Sequence, residues 1–248
     1  MKNYKLQEKI NQYISSPRDA NINFELGSEY FNIKQYASAL SYYLRCAELS
    51  NDKNLIYESL LQSWNCMTKV EGRPVFERGQ LIQAISQSPH RPEGYYQLCS
   101  WLERFGSTRI PSNEEIFHQM YLYACIGIEN RNNDVKFRRF DEYPGKIGLY
   151  FYKAYAGWQI GKKKEAEDLF VELYNNYTLK NGFETHVLNN IKNLGLEHRI
   201  KPKNNKKYIK KHNHHWKVTD WPTMEITTTI PKKGCVVDCV FCPQRTLQ

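Results

Sequence analysis

The chain has 248 residues, of which 41% are hydrophobic and 25% charged, and its net charge is +9. That length accommodates one or two domains with real cores, and an aromatic content of 14%, with 18 Tyr and 11 Phe, excludes disorder throughout. No apolar run approaches the length of a membrane span, and residues 1–6 lack the apolar core of a secretory signal, so the expectation is a cytoplasmic protein with no membrane association.

Residues 1–19 are read as an N-terminal helix. From residue 20 to 195 the sequence reads as paired amphipathic helices with an internal repeat. The clearest unit is Leu26, Gly27 and Tyr30, then Tyr36, Ala39, Tyr43 and Cys46. Small residues at Gly27 and Ala39 let two helices approach closely, and the aromatics fill the groove between neighbouring pairs. Ala154 and Ala166 repeat the spacing of Gly27 and Ala39, Phe170 follows as Tyr43 does, and Gly161 supplies the turn between the helices. A partial copy, Leu81, Ala84 and Pro89, lies between them. These positions resemble the tetratricopeptide repeat, a helix-turn-helix unit whose stacked copies form a solenoid.

The segment His90-Arg91-Pro92-Glu93, followed by Tyr121, Tyr123 and Cys125-Ile126-Gly127-Ile128, looks like a divergent repeat block often attached to glycosyltransferase domains. Pro92 suits the first turn of a helix, and Glu93 sits where the helix dipole favours an anion. His90 and Arg91 are expected to tie this helix start to its neighbour. Residues 1–195 contain no paired-carboxylate, Ser-His-Asp or phosphate-loop arrangement, so this block reads as a scaffold that docks a protein or peptide. Tyr123, Tyr155 and Trp158 are candidate groove residues.

Residues 196–220 change character. Seven lysines between 200 and 219 (201, 203, 206, 207, 210, 211 and 217) carry +7 with no acid, and the rest of the chain is close to neutral. No nucleic-acid motif accompanies them, so the stretch reads as a solvated linker and not as a nucleic-acid site. His212, His214 and His215 lie near its end beside Trp216. The β-branched run Met224-Glu225-Ile226-Thr227-Thr228-Thr229-Ile230 then reads as a strand, and Pro231-Lys232-Lys233-Gly234 turns the chain into a loop.

That loop, residues 221–248 in context, holds Cys235, Cys239 and Cys242 at C-x3-C-x2-C spacing. Three clustered thiols read as metal ligands in a reducing compartment, whereas Cys46, Cys66, Cys99 and Cys125 are scattered singly and read as small buried hydrophobes. A zinc site completed by one of the three histidines and a metal-free thiol cluster are the alternative readings of the residues alone. On either of these alternatives, the protein is a repeat-type interaction scaffold with a zinc-binding or vestigial tail.

The strand, Gly234, the cysteine spacing and the aromatic Phe241 together resemble the signature of the radical S-adenosylmethionine enzymes. The resemblance covers residues 221–248. It implies a [4Fe–4S] cluster held through three irons by Cys235, Cys239 and Cys242, with S-adenosylmethionine on the fourth iron and Phe241 near its adenine. It also implies an external electron donor and reductive cleavage to a 5′-deoxyadenosyl radical. No catalytic residue is assigned. The sequence ends six residues after Cys242, so most of the barrel and its cofactor contacts are expected to lie outside it and this chain alone to be inactive. The expected fold is mainly α: a tetratricopeptide-like helical-hairpin solenoid, then the first strand and cysteine loop of a truncated α/β partial barrel.

Overall fold

The computed structural model describes residues 4–70, 74–110, 112–130, 136–141, 143–179 and 182–201. Among them the chain forms ten α-helices and a terminal 3-10 turn, with no strand. The helices are α1 (Tyr4–Ser15), α2 (Ala20–Asn32), α3 (Tyr36–Leu49), α4 (Lys53–Thr68), α5 (Pro74–Gln87), α6 (Pro92–Arg109), α7 (Asn113–Glu129), α8 (Lys146–Gln159), α9 (Lys163–Asn176) and α10 (Phe183–Asn193). None is long and apolar enough to cross a membrane. The expected strand at 224–230, the lysine-rich stretch from 202 onward and the cysteine loop lie outside the described residues.

Local chemistry sets many of the helix starts. The Asp19 carboxylate accepts from the backbone N–H of Asn21 at 2.7 Å and of Ile22 at 3.1 Å, which satisfies two donors that α2 leaves free. Asp52 does the same for α4 through Asn54 N at 2.9 Å, and Ser112 for α7 through Glu115 N at 3.3 Å. Pro92 opens α6, where its missing N–H costs nothing.

The chain divides into two compact units, residues 1–169 and 170–248. In the first, each helix from α1 to α8 packs on the next, and α6 also reaches α8. The α2–α3 hairpin closes at Gly27, where an added Cβ would lie 3.1 Å from the Tyr43 ring and 3.3 Å from the Ala39 carbonyl oxygen. A side chain here would press on both, so a neighbour would have to give by a few tenths of an ångström for the helices to stay this close. Around that point Phe24, Ala39, Tyr43, Cys46, Leu55 and Cys66 form a buried cluster that joins α2, α3 and α4. Ala154 and Ala166, the second small-residue pair, are likewise fully enclosed. Between their helices Gly161 takes a left-handed backbone with φ +85°.

Helix α4 stands apart, since every residue from Tyr57 to Met67 is buried, the polar Glu58, Ser59, Gln62, Ser63 and Asn65 included. A helix buried on all sides is covered by other chain on more than one face. Helices α3 and α5 cover part of it, and residues 136–141, described below, cover another part.

In the second unit, Val187 and Ile191 of α10 are enclosed together with Leu173, Leu179 and Leu196. The Asn175 side chain bridges to the end of the described chain, donating to the Arg199 carbonyl at 3.2 Å and accepting from Lys201 N at 2.8 Å. The described structure therefore runs on past residue 196, where the composition begins to change.

Two glycines four positions apart separate packing from backbone strain. A Cβ on Gly157 would meet the Tyr121 ring at 3.4 Å, an ordinary contact inside a helix, whereas Gly161 is held at positive φ. Gly157→Ala is expected to stabilise by about 0.5–1 kcal/mol. Gly161→Ala is expected to destabilise by about 1–2 kcal/mol. Urea denaturation of both variants measures the two effects.

Candidate functional site

The residues expected to bind a cluster and its cofactor, Cys235, Cys239, Cys242 and Phe241, lie outside the described residues, as do His212, His214 and His215. The other cysteines are placed as expected. Cys46, Cys66 and Cys99 are buried and Cys125 half-buried, each with a free thiol. Burial pushes the Cys46 thiol up to about 11 and the Cys66 thiol up to about 12. Burial also raises Cys99 and Cys125. Thiols held in the protonated form are poor metal ligands. Among the described residues no group of His, Cys, Asp and Glu is arranged to hold a metal ion.

A buried ion pair sits at the start of α6. Arg91 and Glu93 are both buried, with 3% and 5% of their side chains exposed, and they pair through two contacts: Nη2 to Oε1 at 3.0 Å and Nε to Oε2 at 3.3 Å. The Tyr57 hydroxyl on α4 donates to Glu93 Oε2 at 3.4 Å and accepts from Gly94 N at 2.8 Å. Arg91 Nη1 reaches Asn54 Oδ1 at 3.4 Å. The guanidinium also lies 4.1 Å from the centre of the Phe137 ring and 5.4 Å from that of Tyr57. Arg91 thus ties α6 to α4, as the sequence led one to expect; His90 beside it is exposed.

Phe137 belongs to a short segment, Lys136–Asp141, without helix or strand, that follows α7 in sequence yet packs on α2 and α4. Its backbone is held by a side chain. The buried Glu58 carboxylate accepts from Arg139 N at 2.6 Å and from Phe140 N at 3.2 Å. The Phe137 ring stacks on Tyr57 at 5.9 Å, the Phe140 ring meets Trp64 edge-on at 6.5 Å, and Arg138 Nη1 donates to Asn21 Oδ1 at 2.9 Å. Beside this segment a cavity of about 160 Å³ is lined by Asp52, Asn54, Leu55, Glu58, Lys136, Phe137 and Arg138. Small-molecule sites run to about 300–1,000 Å³, so this space is too small for a drug-sized ligand.

No family model matches the chain, and no curated protein matches it. The candidate function therefore rests on residues and geometry.

The expected groove residues divide. Tyr155 is buried and packs against Phe117 and Phe151, so it is a core residue. Tyr123 is half-buried against Tyr95, and Trp158 is half-buried with Lys163 Nζ 5.5 Å from its ring centre. Two polar groupings that the sequence did not single out come together here. Tyr121 donates to Glu165 Oε2 at 2.8 Å while Lys153 pairs with Glu165 Oε1 at 2.8 Å. Tyr152 donates to Glu103 Oε2 at 2.8 Å. Burial raises the Glu103 carboxyl above the ordinary glutamate range, with the Tyr152 hydrogen bond and then Arg104 opposing it. Neither grouping lines the cavity, so both serve to join helices.

Two predictions follow from these ionisable groups. Arg91→Ala leaves Glu93 buried without its cation and is expected to cost about 3–5 kcal/mol in urea denaturation. The double variant Arg91→Met/Glu93→Leu is expected to cost much less than the two single changes combined, and a cost below about 0.5 kcal/mol for Arg91→Ala would contradict the tie. Glu103 behaves differently with pH. Its raised pKa means that the folded state holds a proton the unfolded chain releases, so its contribution to stability falls as pH rises from about 4.3 through the folded value. Glu103→Gln removes that loss, and its gain in Tm over the wild type is expected to be larger near pH 8 than near pH 4.

Proposed function

We propose that this chain joins a helical-repeat docking module to the cluster-binding loop of a radical S-adenosylmethionine domain. The observation that carries the reading is the C-x3-C-x2-C spacing of Cys235, Cys239 and Cys242 after a β-branched run and Gly234, with Phe241 at the aromatic position. The donor set fits the group: three thiolates suit an iron–sulfur cluster and leave one iron for a small chelating cofactor. When bound, the cluster supplies the electron that cleaves S-adenosylmethionine, and an external donor reduces it.

Cys235, Cys239 and Cys242 would hold the cluster and Phe241 would flank the adenine. The four remaining cysteines support this division of labour, because three are buried as protonated thiols and none joins a ligand group among the described residues. The helical hairpins of residues 20–195 support the docking role. Their small-residue positions, Gly27, Ala39, Ala154 and Ala166, resemble those of tetratricopeptide repeats, which present surfaces to proteins and peptides.

Anaerobic reconstitution with iron and sulfide tests the reading. The expected product is brown and holds about four irons and four sulfides per chain. Cys239→Ala is expected to abolish the cluster and leave helical circular dichroism unchanged. A colourless product holding one zinc would reject the proposal in favour of a Cys3His site.

A further inference from the structure

The segment Lys136–Asp141 rests on the helices as a bound peptide rests on a receptor. It has no backbone ladder of its own; two successive N–H groups, of Arg139 and Phe140, go to one buried carboxylate, Glu58. Two aromatic side chains anchor it: Phe137 against both Tyr57 and the Arg91 guanidinium, and Phe140 against Trp64. Between the anchors, Arg138 and Arg139 stay exposed, and Arg138 reaches Asn21 at the start of α2.

Two carboxylates, Asp52 and Glu58, lie beside a segment that carries the cations Lys136, Arg138 and Arg139. Asp52 and Glu58 line the adjoining cavity together with Lys136 and Arg138 of the segment, so the groove extends beyond what the segment fills. The attachment is also light in composition, with Phe140 buried, Phe137 half-buried and the rest of the segment exposed. Segments that bury few side chains open at lower free energy than the helices they cover.

We propose that the face of α2 and α4 beside the start of α6 is a peptide-binding groove, and that Phe137-Arg138-Arg139-Phe140 occupies it in cis as a tethered competitor. The partner is a protein segment with the same aromatic–basic–basic–aromatic pattern. Glu58 fixes its backbone, the Tyr57–Arg91 and Trp64 positions take its two rings, and Asp52 lies on the side where its cations fall. Competition in cis lowers apparent affinity by the fraction of molecules whose groove is closed, so the partner binds fully only when the segment has left. This inference names a partner chemistry for the docking role proposed above. It rests on that role alone and is indifferent to whether the cysteine loop binds iron or zinc.

The test uses the full chain and a fluorescent peptide, Lys-Phe-Arg-Arg-Phe-Asp, at about 0.15 M salt to screen non-specific attraction. Phe137→Ala/Phe140→Ala empties the groove and is expected to bind the peptide at least about tenfold more tightly than the wild type. Adding Glu58→Gln to that variant is expected to remove the gain, and a peptide of the same composition in scrambled order is expected not to bind. Equal binding of both peptides, or no gain over the wild type in a folded double variant, overturns the proposal. Should the double variant fail to fold, hydrogen exchange on the wild type decides. The Arg139 and Phe140 amides are expected to exchange well ahead of those of α4, and the peptide to accelerate them saturably. Exchange of these two amides only together with α4 would make the segment part of the core and overturn the idea.

Discussion

A buried ion pair fixes the middle of this structure. Arg91 and Glu93 sit two residues apart at the start of α6, almost fully removed from water, and they reach parts of the chain distant in sequence. Asn54 and Tyr57 come from α4 and Phe137 from the segment after α7. Desolvating two charges is costly, and the cost is offset only when geometry and further hydrogen bonds are good. Two contacts between the partners, the Tyr57 hydroxyl and two flanking rings supply those conditions. The pair brings α4, α6 and the 136–141 segment to one point.

The same economy holds for part of α4, which is buried along its length while carrying polar residues. Glu58 is satisfied by two backbone N–H groups, the Ser63 hydroxyl by the Ser59 carbonyl at 2.8 Å, and the Ser59 hydroxyl by Cys46 Sγ at 3.2 Å. Each of these polar groups would be expensive if left without a partner. Covering α4 with residues 136–141 therefore changes what the helical block offers to other molecules. The face beside α4 is engaged by the chain itself.

Much of the helical architecture was legible because it follows from local rules. Gly27, Ala39 and Tyr43 mark a close helix crossing by size alone, Gly161 marks a turn, and Pro92 marks a helix start. The buried single cysteines followed from their isolation in apolar surroundings. What escaped reading depends on distant partners. Glu58 looks like an ordinary surface acid until Arg139 and Phe140, 81 and 82 positions away, bring their N–H groups to it. Arg91 was expected to tie neighbouring helices, but its stacking on Phe137 carries no short-range signal. Glu103 and Tyr152 meet across 49 positions for the same reason. The cysteine loop is the reverse case: its spacing is highly informative as sequence, and it lies outside the described residues.

The central claim is that three thiolates at the C-terminal loop hold iron, and metal-edge X-ray absorption on the purified full chain tests it most directly. The account predicts an iron edge with a sulfur shell and a short iron–iron shell, and both lost in Cys242→Ala. A zinc edge with sulfur neighbours at about 2.3 Å, and no metal–metal shell, would contradict it.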